Sequence, residues 1–195
     1  MGFNCSWMAV QGLKAEEALA SLEMAISEVL SPDEIPDGLG MAQLPDDWLL
    51  FLWGRKAGAV EGKLSDFTAL GRAIECEMSE TVMFSEARGY ENGAQVWRVT
   101  HDPDRDESLY SLETEGAPPA QLEAIVREAK AEQDKEGGED ANVDLIFDVP
   151  LRLAHSVCGF NLSEGDPQDI CFSVLRRTGA VPARKPGFFA RLFGG

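Results

Sequence analysis

Positive charge, histidine and long apolar runs are all scarce in this sequence, and each shortage removes a class of function. Lys and Arg number 17 against 34 Asp and Glu, a formal net charge of −17 and a pI of 4.4. Binding a phosphate backbone needs clustered Lys and Arg, so nucleic acid is excluded as a partner of such a body. The same deficit excludes broad attraction to anionic membrane surfaces. No apolar run approaches the roughly 18 residues of a spanning helix. The start, Met1-Gly2-Phe3-Asn4-Cys5, lacks the basic and apolar regions of a signal peptide. Cys5, Cys76, Cys158 and Cys171 include no C-x-x-C pair, which removes zinc-ribbon and thioredoxin-type sites. All four sit among apolar neighbours, as buried free thiols do. The chain therefore reads as cytoplasmic, with reduced thiols. Gly38-Leu39-Gly40 follows no strand, and there is no G-x-x-x-x-G-K-[ST] or H-E-x-x-H. The sequence predicts no cofactor.

What is present is a charge split by position. Residues 1–175 hold all 34 acids and 12 of the bases, a formal −22. The remaining bases, Arg176, Arg177, Arg184, Lys185 and Arg191, lie in the last twenty residues with no acid. The reading is one acidic domain over 1–177 and a basic, aromatic tail over 178–195. A chain of this length buries about 70% of its unfolded surface and needs no staples.

Residues 3–11 alternate with apolar positions on both faces, as in an interior strand. A helix is predicted over 14–30, where Leu19, Leu22, Ile26 and Val29 share one face. A Pro- and Gly-rich loop over 31–46 follows. The six apolar residues 48–53 suit a strand covered on both sides. A short helix over 64–72 precedes strands over 74–78, 81–90, 94–101 and 108–115, with Asn92-Gly93 as a hairpin turn. Pro118 and Pro119 open a helix to residue 133, then comes an acidic loop over 131–142 and a short strand over 143–147. A helix from Asp148 to Gly159 has Pro150 at its start and Gly just past its end. Residues 166–177 read as a helix, with a strand as the alternative because Phe172 and Val174 alternate. This order implies an α+β fold: a mainly antiparallel sheet of about five to six strands, with helices packed on one face.

Four constellations carry chemistry. Asp102, Asp104 and Asp106 alternate, and Glu113 is the twelfth residue from Asp102, the oxygen-ligand spacing of a calcium loop. Glu107 stands where that loop needs Gly, and the flanks read as strands, so the same residues also read as a solvated turn. His101 and His155 supply the second: either could form a nucleophile pair with Cys158 or Cys5, and His155 and Cys158, three apart on one helix face, are two soft metal ligands without a third. Trp7, Trp48, Trp53 and Trp97 fall on predicted strands, as core or as a pocket lining. In the tail, Phe188, Phe189, Arg191, Leu192 and Phe193 suit a groove in a partner or a membrane interface. They also suit self-association, or docking on the acidic body.

Phe3-Asn4-Cys5-Ser6-Trp7-Met8-Ala9-Val10, and Phe147-Asp148-Val149-Pro150-Leu151 through Cys158-Gly159-Phe160, resemble short stretches of uncharacterised bacterial proteins. That resemblance implies no activity and brings no functional residue. The expectation is a non-enzymatic protein-binding module, inhibitor- or immunity-like, that turns its acidic surface to a basic protein. The alternative is a small enzyme or ligand-binding domain whose Cys/His or carboxylate site forms only in the fold.

Overall fold

The computed structural model describes residues 4–32, 34–54, 58–162 and 170–179, with residues 58–61 described by backbone alone. In chain order the elements are β1 (Asn4–Gln11), α1 (Ala15–Leu22), β2 (Met24–Val29), β3 (Gly40–Gln43), β4 (Trp48–Gly54) and α2 (Gly58–Ser65). A 3-10 turn (Asp66–Leu70) leads into β5 (Arg72–Ser79), β6 (Phe84–Glu91) and β7 (Ala94–His101). The single-turn α3 (Pro103–Asp106), β8 (Glu113–Gly116), α4 (Gln121–Glu136), a 3-10 turn (Gly138–Asp140), α5 (Asp148–Cys158) and β9 (Ser173–Arg177) are the remaining elements among the described residues. The fold is α+β.

The strands form one sheet in the order β2-β9-β3-β4-β1-β5-β6-β7-β8. Every pairing is antiparallel. Nine strands among the described residues exceed the expected five to six. β1 lies in the middle, between β4 and β5, as its two apolar faces require. Its alternate residues feed two separate cores. Cys5, Trp7 and Ala9 join Leu50, Leu52, Ile74, Cys76, Trp97 and Val99 beneath α4 and α5. Met8 and Val10 join Leu49, Phe51, Trp53, Ala73, Phe67 and the α1 residues Ala18 and Leu22 on the other side. Helices therefore cover both faces, not one, because a continuous apolar run such as Trp48–Trp53 needs cover twice. All six of its side chains are buried, each worth about 1.5–3 kcal/mol. The four tryptophans are core residues, none more than 5% exposed.

The long helix expected over 14–30 is α1 followed by β2. Glu23 turns left-handed, with φ 57, and its N–H bonds to the Ala20 and Leu19 carbonyls, which closes the helix. Ile26 and Val29 then lie 48% and 64% exposed in the edge strand β2. Their helical spacing had no second surface to serve. Strand β3 lies inside the predicted loop. Gly40 fits there because a Cβ would stand 2.4 Å from the Pro36 side chain. The strand expected over 143–147 is absent. Gln133, fully buried, takes its backbone groups: Nε2 donates to the Gly138 and Val143 carbonyls at 2.9 and 3.0 Å, and Oε1 accepts the Leu145 N–H at 2.8 Å. Of the two readings of 166–177, the strand holds over Ser173–Arg177, since it fills the gap between β2 and β3. Among the described residues no helix is long and apolar enough to cross a membrane.

Candidate functional site: a charged sheet face

Helices α4 and α5 take one face of β5–β7. On the opposite face only Tyr90, among β6–β8, packs against the second core. That face is charged. Alternation sends Glu75 and Glu77 outward from β5, Glu86 and Arg88 from β6, and Arg98 and Thr100 from β7. Register arranges them in two rows across the strands. Glu75 pairs with Arg88, Arg88 with Arg98, and Arg98 with Glu115 of β8. One step along, Glu77 pairs with Glu86, Glu86 with Thr100, and Thr100 with Glu113.

Two of these pairings set like charges opposite each other, Arg88 with Arg98 and Glu77 with Glu86, which is unfavourable alone. Contacts between the rows resolve the conflict. Arg88 ion-pairs with Glu86 and reaches Glu75 Oε2 at 3.2 Å. Arg98 Nε stands 3.8 Å from Glu86 Oε2, and its Nη2 pairs with Glu115. The Thr100 hydroxyl donates to Glu86 Oε2 at 2.7 Å, and the Tyr90 hydroxyl to Glu75 Oε2 at 2.9 Å. Glu86 is consequently only 6% exposed, packed beneath two arginines. Burial works against the Arg88 charge, but Glu86 and Glu75 outweigh it and raise its pKa. Burial and then Glu75 push the Tyr90 phenol up to about 12.

At the β7–β8 end the face opens into a cleft of about 360 Å³ lined by Thr100, Asp102, Arg105, Asp106, Ser111, Leu112 and Glu113. Three of the four residues with calcium-loop spacing, Asp102, Asp106 and Glu113, meet here, while Asp104 is not in the lining. The segment is helix α3 followed by a turn, with Pro103 in its first turn. Two of the carboxylates already have partners: Arg105 ion-pairs with Glu113, and the Ser111 hydroxyl donates to Asp106 Oδ2 at 3.0 Å. Among the described residues no group of three or more His, Cys, Asp or Glu side chains is arranged to hold a metal ion.

His101, Cys5, Cys76 and Cys158 are buried, and His155 on α5 is half-buried. His101 is fully buried, its Nδ1 2.6 Å from the Ser111 carbonyl and its Nε2 2.8 Å from Asp144 Oδ2. A carbonyl only accepts, so Nδ1 carries a hydrogen. Burial pushes the Cys5 thiol up to about 12 and Cys158 to about 11, with Glu80 adding to the effect on Cys5. Cys76 rises well above the ordinary value through burial and then through Cys158 and Cys5. These three thiols keep their protons at neutral pH, which leaves them without the thiolate that attacks. Cys171 is exposed. Phe188, Phe189, Arg191, Leu192 and Phe193 lie outside the described residues.

Sequence reading missed the face itself. Its signal was present in part, since Glu75 and Glu77 alternate with buried Ile74, Cys76 and Met78. Nothing in the sequence placed Arg88 beside Arg98. No protein-family model, curated protein or solved structure matches this chain.

Proposed function

We propose that the protein is a non-enzymatic binding module that presents the charged face of β5–β8 to a basic protein partner, in the manner of an inhibitor. The observation that carries this reading is the pair of cross-strand rows on a face that α4 and α5 do not cover. Residues 75–116 hold eleven acids and three bases, and the face draws Glu75, Glu77, Glu86, Glu113 and Glu115 from them. The arginines are already held by carboxylates, so an incoming cation meets an excess of negative charge. Such a surface steers a basic partner into encounter and loses its advantage as salt rises.

The test is affinity capture from a lysate with the wild-type chain and a Glu77→Lys/Glu115→Lys variant, at low and at high salt. A single basic protein retained by the wild type and lost with either change is the expected result. A partner held equally by the variant in high salt would refute the reading.

Although no metal-holding group is formed among the described residues, Asp102, Asp106 and Glu113 line one cleft, and a cation that draws them together is the second reading. A ligand that binds only the folded chain raises its melting temperature. Millimolar calcium should then raise the Tm of the wild type but not of Asp106→Asn. An unchanged wild-type Tm would rule the cation out.

A further inference from the structure

We propose that β2, an outer strand of the sheet, pairs antiparallel with β2 of a second copy of this chain and joins two sheets edge to edge across a two-fold axis.

The two sheet edges differ in kind. β8 spans four residues and carries Glu113, Glu115 and Gly116, the shortness and charge that keep an edge from pairing. β2 spans six, Met24–Val29, with no Lys or Pro and a single charge, Glu28. Among the described residues it has a strand on one side only, β9. The ladder to β9 fixes which backbone groups face outward. Thr178 N–H donates to the Glu23 carbonyl and Leu30 N–H to the Phe172 carbonyl. Ala25 and Glu28 therefore bond inward, and Met24, Ile26 and Val29 turn their N–H and C=O groups to the open edge.

The same three residues set their apolar side chains on one face. The pairing with β9 skips Ser27 between Ile26 and Glu28, and an extra residue of this kind resets the alternation. Ile26 lies opposite Leu175, and Val29 opposite Ser173, which is itself opposite Met41. Leu175 and Met41 belong to the second core, and Met24 packs against it. That core thus runs out to the sheet edge, where Ile26 is 48% and Val29 64% exposed. An antiparallel register with Met24 of one copy opposite Val29 of the other joins outward groups to outward groups and makes one apolar strip across the junction. It is self-complementary, as a two-fold contact must be.

Charge favours a second copy at this edge. β2 and β9 together hold Glu28, Arg176 and Arg177, a slight positive balance on a chain of net −17. The charged face ends at β8, eight strand positions away, about 38 Å at the usual spacing and several Debye lengths in physiological salt. Two acidic bodies therefore meet here with little repulsion.

Sedimentation equilibrium of the full chain over a dilution series should show monomer and dimer exchanging with a dissociation constant on the order of micromolar. Ile26→Lys/Val29→Lys should stay monomeric throughout and keep the wild-type circular dichroism. Hydrogen exchange reads the strand pairing in the wild type itself. The amides of Met24, Ile26 and Val29 should exchange at least about tenfold more slowly in the dimer than in the dilute monomer. A wild type that is monomeric at every concentration would overturn the proposal. So would a dimer that the double variant keeps, or outward amides that exchange equally in both states.

Discussion

At the scale of single residues, His101 and Asp144 show how buried polarity is held. Asp144 uses one carboxylate oxygen for His101 Nε2 at 2.8 Å and the other for the Phe147 N–H at 3.1 Å. One side chain thus ties β7 to the start of α5. Removing it strands a buried ring nitrogen and a backbone donor, so Asp144→Ala should cost about 2–4 kcal/mol in urea unfolding. Asp144→Asn should cost clearly less, because its amide can donate to a neutral imidazole while its oxygen keeps the Phe147 N–H. Equal losses for the two variants would show that the carboxylate charge itself is essential. The thiols give a second prediction, in pH. Burial lifts Cys158 from 9.0 to about 11, so the unfolded chain gives up this proton first. Stability is whole below pH 9 and drains as pH climbs towards 11. Cys158→Ala should be less stable at pH 7 through its cavity, yet lose stability less steeply across that window. The difference in slope is up to about 1.4 kcal/mol per pH unit, measurable from urea midpoints at pH 7, 9, 10 and 11. A slope identical to wild type would mean that Cys158 ionises in the folded state as readily as in the unfolded chain.

At the scale of elements, the hairpin β6–β7 was legible because Asn92 and Gly93, with φ 50 and 83, are the residues that tolerate that turn. The boundary of α1 was not. Leu19 and Leu22 do mark its apolar stripe, but a helical spacing that continues to Ile26 and Val29 cannot reveal that β9 waits to pair with Met24–Val29. Glu23, which makes the stop, is not a residue that favours left-handed backbone. Glu23→Gly should therefore stabilise the fold by about 0.5–1 kcal/mol. The Lys63 ion pair that it gives up is half-exposed or more on both sides and worth little. A rise in Tm of a few degrees is the expected readout, and a fall would show that the Glu23 side chain matters more than its backbone strain. The outward Glu75 and Glu77 of the candidate site were legible from alternation with Ile74 and Cys76. Arg88, Arg98 and Glu115 were not, because which side chains stand opposite each other depends on the registers of three pairings and on the irregularity at Gly89 and Tyr90.

At the scale of the whole molecule, 34 acids against 17 bases make self-repulsion a general strain on the folded state. The ion pairs of the sheet face work the other way, but most are partly exposed and contribute little each. Raising NaCl from about 20 mM to about 0.5 M shortens the Debye length from tens of ångströms to a few, so melting temperature should rise. A flat or falling Tm would mean that the charged rows outweigh the net repulsion.

The sequence by itself determined composition-level and local matters: the α+β class, the doubly buried strand Trp48–Trp53, the Asn-Gly hairpin, the α5 limits and the acidic body. Each follows from charge count, from a period of two or of 3.6, or from the backbone freedom of a few residues, all of which are local. The tertiary structure alone decided that the helices cover both faces, that Met24–Val29 pairs as an edge strand, that His101 meets Asp144, and that two rows of charge line up across β5–β8. Those outcomes depend on register and on which surfaces remain to be covered after distant segments pair, and no local pattern carries that information.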